Sequence, residues 1–173
     1  MIKKFIEIAE QVETIVQVIP RDPIAISKTL TSIIDDDSGV VISKLRFVNA
    51  ELLNEFAKQN KNIKYNPTDE ELANTKYGIT DAFAGIAETG SVCVLNNNSM
   101  SGSFSLFTKI HIAILESKNI VTRPRDIFLS EPFKEITMNE DFIFVSGSSA
   151  TADMGPLVRG VHGPAKLYVL IIN

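Results

Sequence analysis

Cysteine is nearly absent from this 173-residue sequence, and Cys93 is its sole representative. One cysteine excludes an intramolecular disulfide and any thiolate cluster supplied by this chain alone, and it suits a reducing, cytoplasmic setting. Flanked by Val92 and Val94, Cys93 reads as a small core residue rather than a reactive thiol. Histidine is scarce as well. With only His111 and His162, a compact histidine-rich metal site is not expected, while a mixed histidine and carboxylate site stays open. No apolar run approaches the roughly 20 residues needed to span a bilayer. The start, Met1-Ile2-Lys3-Lys4-Phe5, passes directly into an amphipathic pattern, so no secretory signal is expected. Nor does charge of one sign dominate. The formal net charge is -4 with both signs mixed along the chain, which leaves no footprint for nucleic-acid phosphates or an anionic membrane. The Walker A pattern, the G-x-G-x-x-G dinucleotide fingerprint and the G-x-S-x-G nucleophile elbow are also missing.

What is present is enough apolar material, 45% of the residues, to bury the core of one domain spanning 1–173. Ile2, Phe5, Ile6, Ala9, Val12 and Val16 recur at helical spacing. They predict a first helix that runs on until Pro20. Asp22-Pro23 reads as an N-cap followed by proline in the first turn of a second helix reaching about Ile33. Asp35-Asp36-Asp37 reads as a solvated turn, since adjacent carboxylates rarely converge on a metal without other ligands. Val40-Val41-Ile42 is a short buried strand. Leu52, Leu53 and Phe56 share one helical face, and Thr68 with Glu71 has capping-box spacing.

The second half is richer in nearly continuous apolar runs: Val92-Cys93-Val94-Leu95, His111-Ile112-Ala113-Ile114-Leu115, Phe142-Ile143-Phe144-Val145 and Leu167-Tyr168-Val169-Leu170-Ile171-Ile172. Short runs of β-branched and aromatic residues predict strands covered on both faces. The fold class is therefore α/β, a mostly parallel central sheet flanked by helices.

Three polar clusters lie at the ends of those strands, where open α/β sheets bind ligands. The first, Gly85-Ile86-Ala87-Glu88-Thr89-Gly90-Ser91, is expected between a short helix starting near Thr80 and the Val92 strand. Glu88 suits a general base, an acyl-accepting nucleophile or a hydrogen-bond acceptor for a ligand. It equally suits a cap for the turn around Gly90. The second cluster, Ser146-Gly147-Ser148-Ser149-Ala150-Thr151-Ala152-Asp153, reads as a loop from a strand into a helix. Such a loop offers backbone N–H groups, and Ser148, Ser149 and Thr151 add hydroxyls for an anion. Simple N-capping explains the same residues. In the third, Arg159-Gly160-Val161-His162-Gly163-Pro164, glycines constrain a histidine that can move protons or hold an anion with Arg159, or serve the turn alone. His111 opens a strand and reads as hydrogen-bonded at its edge.

These stretches also carry a family resemblance. Ile79-Thr80-Asp81-Ala82-Phe83-Ala84-Gly85-Ile86-Ala87-Glu88-Thr89-Gly90-Ser91, then His111-Ile112-Ala113-Ile114, then Ser149-Ala150-Thr151-Ala152-Asp153, then Gly160-Val161-His162-Gly163-Pro164 resemble successive motifs of the LUD domain family, lactate-utilisation protein C type. The resemblance covers 79–173 and no motif precedes it. It implies a fold similar to the NagB/RpiA/CoA-transferase-like group. It further implies a role in bacterial oxidation of lactate to pyruvate, as an accessory or partner subunit beside proteins that carry iron–sulfur clusters. With one cysteine, this chain resembles the member without a cluster, and no cofactor is expected on it. Glu88, Asp153 and His162 are its candidate catalytic residues. Thr89, Gly90, Ser91, His111, Ser148, Ser149, Thr151, Arg159 and Gly163 are candidates for a pocket that takes a small anionic ligand. The family has no agreed catalytic residue, and Met154-Gly155-Pro156 stands where an acidic residue is expected after Asp153. An enzyme acting alone on acyl-CoA or sugar-phosphate-like substrates, and a regulatory or scaffold domain, are the alternatives the sequence leaves open.

Overall fold

A computed structural model describes residues 1–35, 38–65, 67–96, 105–137, 139–151 and 158–173. The first helix, α1 (Ile2–Gln11), turns Phe5 and Ala9 inward. It stops well before Pro20. Glu13 takes a left-handed backbone conformation, φ 64°, and the chain then extends as β1 (Thr14–Ile19). The expected continuation of the helix through Val16 is thus corrected. Thr14, Ile15, Val16, Val18 and Ile19 are all β-branched, and pairing with a neighbouring strand overrides the helical spacing. Asp22 caps α2 (Pro23–Ile33), its side chain accepting from the Ala25 N–H at 3.0 Å, with proline in the first turn.

After β2 (Val40–Ile42), a 3₁₀ turn at Ala50–Leu53 leads into α3 (Asn54–Gln59). β3 (Ile63–Tyr65) precedes α4 (Asp69–Ala73), whose capping box between Thr68 and Glu71 is formed as the spacing predicts. The next segment, Tyr77–Ala82, is a fully buried strand, β4, and not the helix expected near Thr80. The strand lies in the middle of the sheet, where both faces are covered. Its side chains therefore lack the alternation that would reveal it.

β5 (Ala84–Ile86), β6 (Ser91–Asn96), β7 (Ile110–Glu116), β8 (Ile120–Val121), β9 (Asp141–Val145), β10 (Ala150–Thr151), β11 (Val158–Arg159) and β12 (Lys166–Ile172) follow, with a short helix α5 (Glu131–Lys134) between β8 and β9. Six strands form a parallel sheet in the order β1-β12-β7-β4-β2-β3. The fold class is the expected one. Two of the four long apolar runs, however, sit elsewhere. β6 and β9 pair antiparallel in a separate four-stranded sheet, β8-β5-β6-β9.

Two large apolar clusters sandwich the parallel sheet. On one face Ile26 and Leu30 of α2 and Phe56 of α3 meet Ile42, Ile79, Ile112 and Leu170. On the other, Phe5 and Ala9 of α1, with Val92 and Val94 of the small sheet, meet Ala113, Leu115, Val169 and Ile171. Period-2 alternation along β7 and β12 sends one residue set to each layer. A third cluster, Phe83, Ala84, Ile86, Cys93, Leu95 and Ile127, packs the small sheet against the 3₁₀ segment Pro124–Leu129 and the Phe133 side chain of α5. Cys93 is buried there, and burial pushes its thiol up to about 12. Its reading as a core residue fits that environment.

Candidate functional site

A cleft of about 470 Å³ lies where the loops after β9 and before β12 meet. Its wall takes in Ile143, Phe144, Val145, Ser146, Gly147, Ser148 and Ser149 from one side, and His162, Gly163 and Pro164 from the other. Asn96, Ser105 and Leu106 complete it. Because His162 precedes β12 and Ser105 precedes β7, this cleft faces the amino ends of the parallel strands. The expectation from open α/β sheets is the carboxyl ends.

The 146–149 loop is fixed by its neighbours. Gly147 has φ +68°, its N–H donates to Thr14 Oγ1 at 3.2 Å, and a Cβ there would sit 2.0 Å from the Val12 carbonyl oxygen. Only glycine fits. The Ser149 N–H donates to the Pro164 carbonyl at 2.8 Å, and the Gly160 N–H to the Ser149 carbonyl at 2.9 Å. Gly163 lies close to the same serine, since a Cβ on it would approach Ser149 Cβ to 3.0 Å. The loop leads into the β10–β11 ladder rather than into a helix, with Ala150 opposite Arg159 and Thr151 opposite Val158. Two of its N–H groups are thus committed to the fold and no helix dipole follows directly. The hydroxyl of Ser149 and the imidazole of His162, neither hydrogen-bonded to a described residue, are among the groups the cleft offers a ligand.

Arg159 has its own partner. Its guanidinium grips the Glu13 carboxylate, Nη2 reaching Oε1 at 2.7 Å, while Nη1 donates to Ser148 Oγ at 2.8 Å. Ser148 in turn donates to Glu13 Oε2 at 2.9 Å. The Arg159 and Ser148 hydrogen bonds hold the Glu13 carboxyl at about 2, well below the usual carboxylate range. Glu13 was invisible to sequence reasoning, because nothing before β1 marks a residue 146 positions from its partner.

The first polar cluster stands apart from the cleft. Glu88 is exposed in the hairpin turn between β5 and β6, its N–H donating to the Thr122 carbonyl. Gly90 (φ +67°) donates to the Ile86 carbonyl at 2.9 Å and presses on Ala9 of α1, where a Cβ would meet Ala9 N at 2.6 Å. A hydroxyl chain links this turn to the cleft loop. Thr89 Oγ1 lies 2.8 Å from Ser91 Oγ, which lies 2.5 Å from Ser146 Oγ. Thr89 and Ser91 therefore reach the cleft through Ser146, whereas the Glu88 and His162 side chains do not line a common pocket.

His111 is fully buried inside the parallel sheet rather than at a strand edge. Its Nε2 lies 2.8 Å from Thr80 Oγ1, its Nδ1 has no partner among the described residues, and burial pulls its pKa down to about 4. At neutral pH it is an uncharged core residue. Asp153 and the Met154-Gly155-Pro156 departure lie outside the described residues.

The carboxyl ends of the strands hold a set that sequence patterns did not flag. Asp81, 7% exposed at the end of β4, accepts three backbone N–H groups on Oδ2, from Arg46 at 2.6 Å, Phe47 at 2.5 Å and Val48 at 3.2 Å. Burial outweighs these bonds and keeps its carboxyl above the ordinary range. Buried Glu116, ending β7, is paired with Arg21.

A match to the LUD domain model extends over residues 4–172, nearly the whole chain. The chain belongs to the LUD domain family. This LUD domain is 31% identical over 100 residues to lactate utilization protein C of Bacillus subtilis, an alignment covering 56% of the chain and 42% of that relative. It is 33% identical over 117 residues to the protein of the same name from a Geobacillus species, covering 65% and 46%. The chain thus spans about half the length of the curated relatives it matches. A DUF162 family protein from Deinococcus radiodurans superposes with a TM-score of 0.70 at 19% identity, covering 99% of this chain and 96% of that one. That likeness speaks to the fold alone.

Proposed function

We propose that this LUD domain is a cluster-free accessory component of cytoplasmic lactate utilisation, the oxidation of lactate to pyruvate, and that it works beside iron–sulfur proteins. The observation that carries this reading is the family match over 4–172, joined to relatives named for lactate utilisation. Its own donor set fits a part without a cluster. An iron–sulfur cluster is held by several thiolates, and the one thiol here is buried with its pKa at about 12. Among the described residues no helix is long and apolar enough to cross a membrane.

The amino-edge cleft is the ligand pocket of this reading. Ser149 Oγ and the His162 imidazole line it, and together they suit a small anion, with a hydroxyl and a ring N–H to donate. Arg159 and Ser148 shape the pocket from its rim through Glu13.

Gene deletion in the native host, followed by complementation with wild type, Ser149→Ala or His162→Ala, tests both parts. Growth on lactate should fail without the gene, return with wild type and return poorly with the two variants. Affinity capture of the complementing protein should recover iron–sulfur proteins. Undiminished growth of the deletion strain on lactate, with no such protein captured, would overturn the reading.

A further inference from the structure

A second cleft, of about 450 Å³, opens at the opposite end of the parallel sheet, lined by Arg46, Phe47, Lys118, Asn119, Val121 and the 130–135 segment. Its position follows from topology. The chain leaving β2 passes to the α3 face, where Leu52, Leu53 and Phe56 pack. The chain leaving the adjacent β4 passes to the other face, through Phe83 and Ala84 into the small sheet. Neighbouring strands whose connections part to opposite faces leave a crevice outside their carboxyl ends. Asp81 pins the Arg46 and Phe47 backbone into that crevice, and β7 delivers Lys118 and Asn119 to it through the 3₁₀ turn Ser117–Asn119.

The polar groups around the cleft are unequally committed. Arg46 is engaged by Glu140 and by the Glu135 carbonyl, and Glu131 by Lys134. The Lys118 ammonium and the Glu135 carboxylate have no ion-pair partner among the described residues. Asn119 stands out. It is 7% exposed, its carboxamide makes no hydrogen bond to a described residue, and what remains of its surface opens on this cleft. Unlike Ser43 Oγ and His111 Nδ1, the carboxamide is not sealed off, so both its donor and its acceptor can meet a group that enters the cleft.

We propose that this carboxyl-edge cleft is a second ligand site, for a small molecule that joins a carboxylate to an adjacent hydrogen-bond donor, an α-hydroxy or α-amino acid. Lys118 meets the carboxylate, and Glu135 accepts the hydroxyl or ammonium donor. Asn119 supplies both a donor and an acceptor between them. Phe47, Val121 and Pro132 receive the apolar substituent. The site shares no lining residue with the His162 cleft, so it goes beyond the function proposed above and does not depend on it.

The test is a titration of the ¹⁵N-labelled chain with L-lactate, L-alanine and propionate, followed by NMR. L-lactate or L-alanine should move the Asn119 side-chain amide and the Phe47 and Val121 backbone amides saturably, which identifies the donor as hydroxyl or ammonium. Propionate, lacking the donor, should bind at least about tenfold more weakly. Lys118→Met and Asn119→Leu should each weaken binding by about tenfold or more, and Lys4→Met, on the exposed face of α1, should leave it unchanged. Lys118→Met keeps the test valid if Asn119→Leu fails to fold. The proposal is overturned if no ligand moves these amides, if propionate binds equally well, if the shifts fall on Ser149 and Gly163 instead, or if folded Lys118→Met binds like wild type.

Discussion

The two ends of the parallel sheet are held by different physical means. At the amino end, apart from the Glu13 carboxylate that holds Arg159 and Ser148, loops lock to one another by backbone approach. Gly147 sits against Val12, Gly163 against Ser149, and the Ser149 N–H donates to the Pro164 carbonyl. At the carboxyl end, carboxylates do the fixing, with Asp81 gathering three N–H groups and Glu116 paired to Arg21. Backbone contact at Gly147 leaves no room for a Cβ, whereas fixing by carboxylates at the other end leaves a neighbouring polar group, Asn119, open to its cleft. The amino-end cleft therefore rests mainly on backbone contacts and the carboxyl-end cleft mainly on side-chain carboxylates.

The largest expected effect probes the amino end. Gly147→Ala demands a left-handed alanine and drives a Cβ into the Val12 carbonyl, which should cost at least about 3 kcal/mol. Urea unfolding at neutral pH measures it. A midpoint near wild type would show that the α1–β1 turn yields, and the contrast between the two ends would weaken.

Nearly as large is a pH effect from His111, buried near the amino end of β7. Its folded pKa of about 4 lies below the ordinary 6.5, so the unfolded chain takes up a proton first as pH falls. Stability should drop through the window from about 6.5 to 4, by about 3 kcal/mol at its foot. Unfolding free energies of wild type and His111→Gln at pH 7 and pH 4.5 check this, the variant showing a much flatter dependence.

At the carboxyl end, Asp81→Ala strands three N–H groups and should cost about 2 kcal/mol. Hydrogen exchange should accelerate at Arg46, Phe47 and Val48, and not at Ser149. Equal acceleration at both ends would mean that the sheet couples them. The smallest effect belongs to the exposed Glu13–Arg159 pair. Because the Glu13 pKa is lowered to about 2, its contribution is present above the ordinary carboxylate range and disappears as pH falls toward 2. Glu13→Gln should lower the urea midpoint slightly at pH 7, less in high salt, and not at all near pH 2.

Much of this architecture was legible in residue order. Asp22-Pro23 fixed the start of α2, Thr68 with Glu71 formed the capping box, and the β7 and β12 runs are the central strands their composition predicts. Misreadings came where a local pattern competed with a distant partner. Val12 and Val16 continue a helical spacing, but residues 14–19 pair with 167–172, some 150 residues on. β4 lacks alternation because both of its faces are covered. β6 and β9 have the composition of central strands yet build another sheet, since composition reports burial and not the direction of a partner.

For the candidate site, residue types marked the 146–149 loop and His162, which the structure brings to one cleft. They did not reveal that Glu13 occupies Arg159, that Glu88 stands apart, or that Asp81 and Asn119 furnish the far end. By itself the sequence determined the α/β class, the LUD membership and the inert character of Cys93, because each rests on composition or on motifs contiguous in the chain. Tertiary structure alone decided which charges are already neutralised and which polar groups still lack a partner. Such pairings depend on distances between residues far apart in sequence, and no local pattern encodes them.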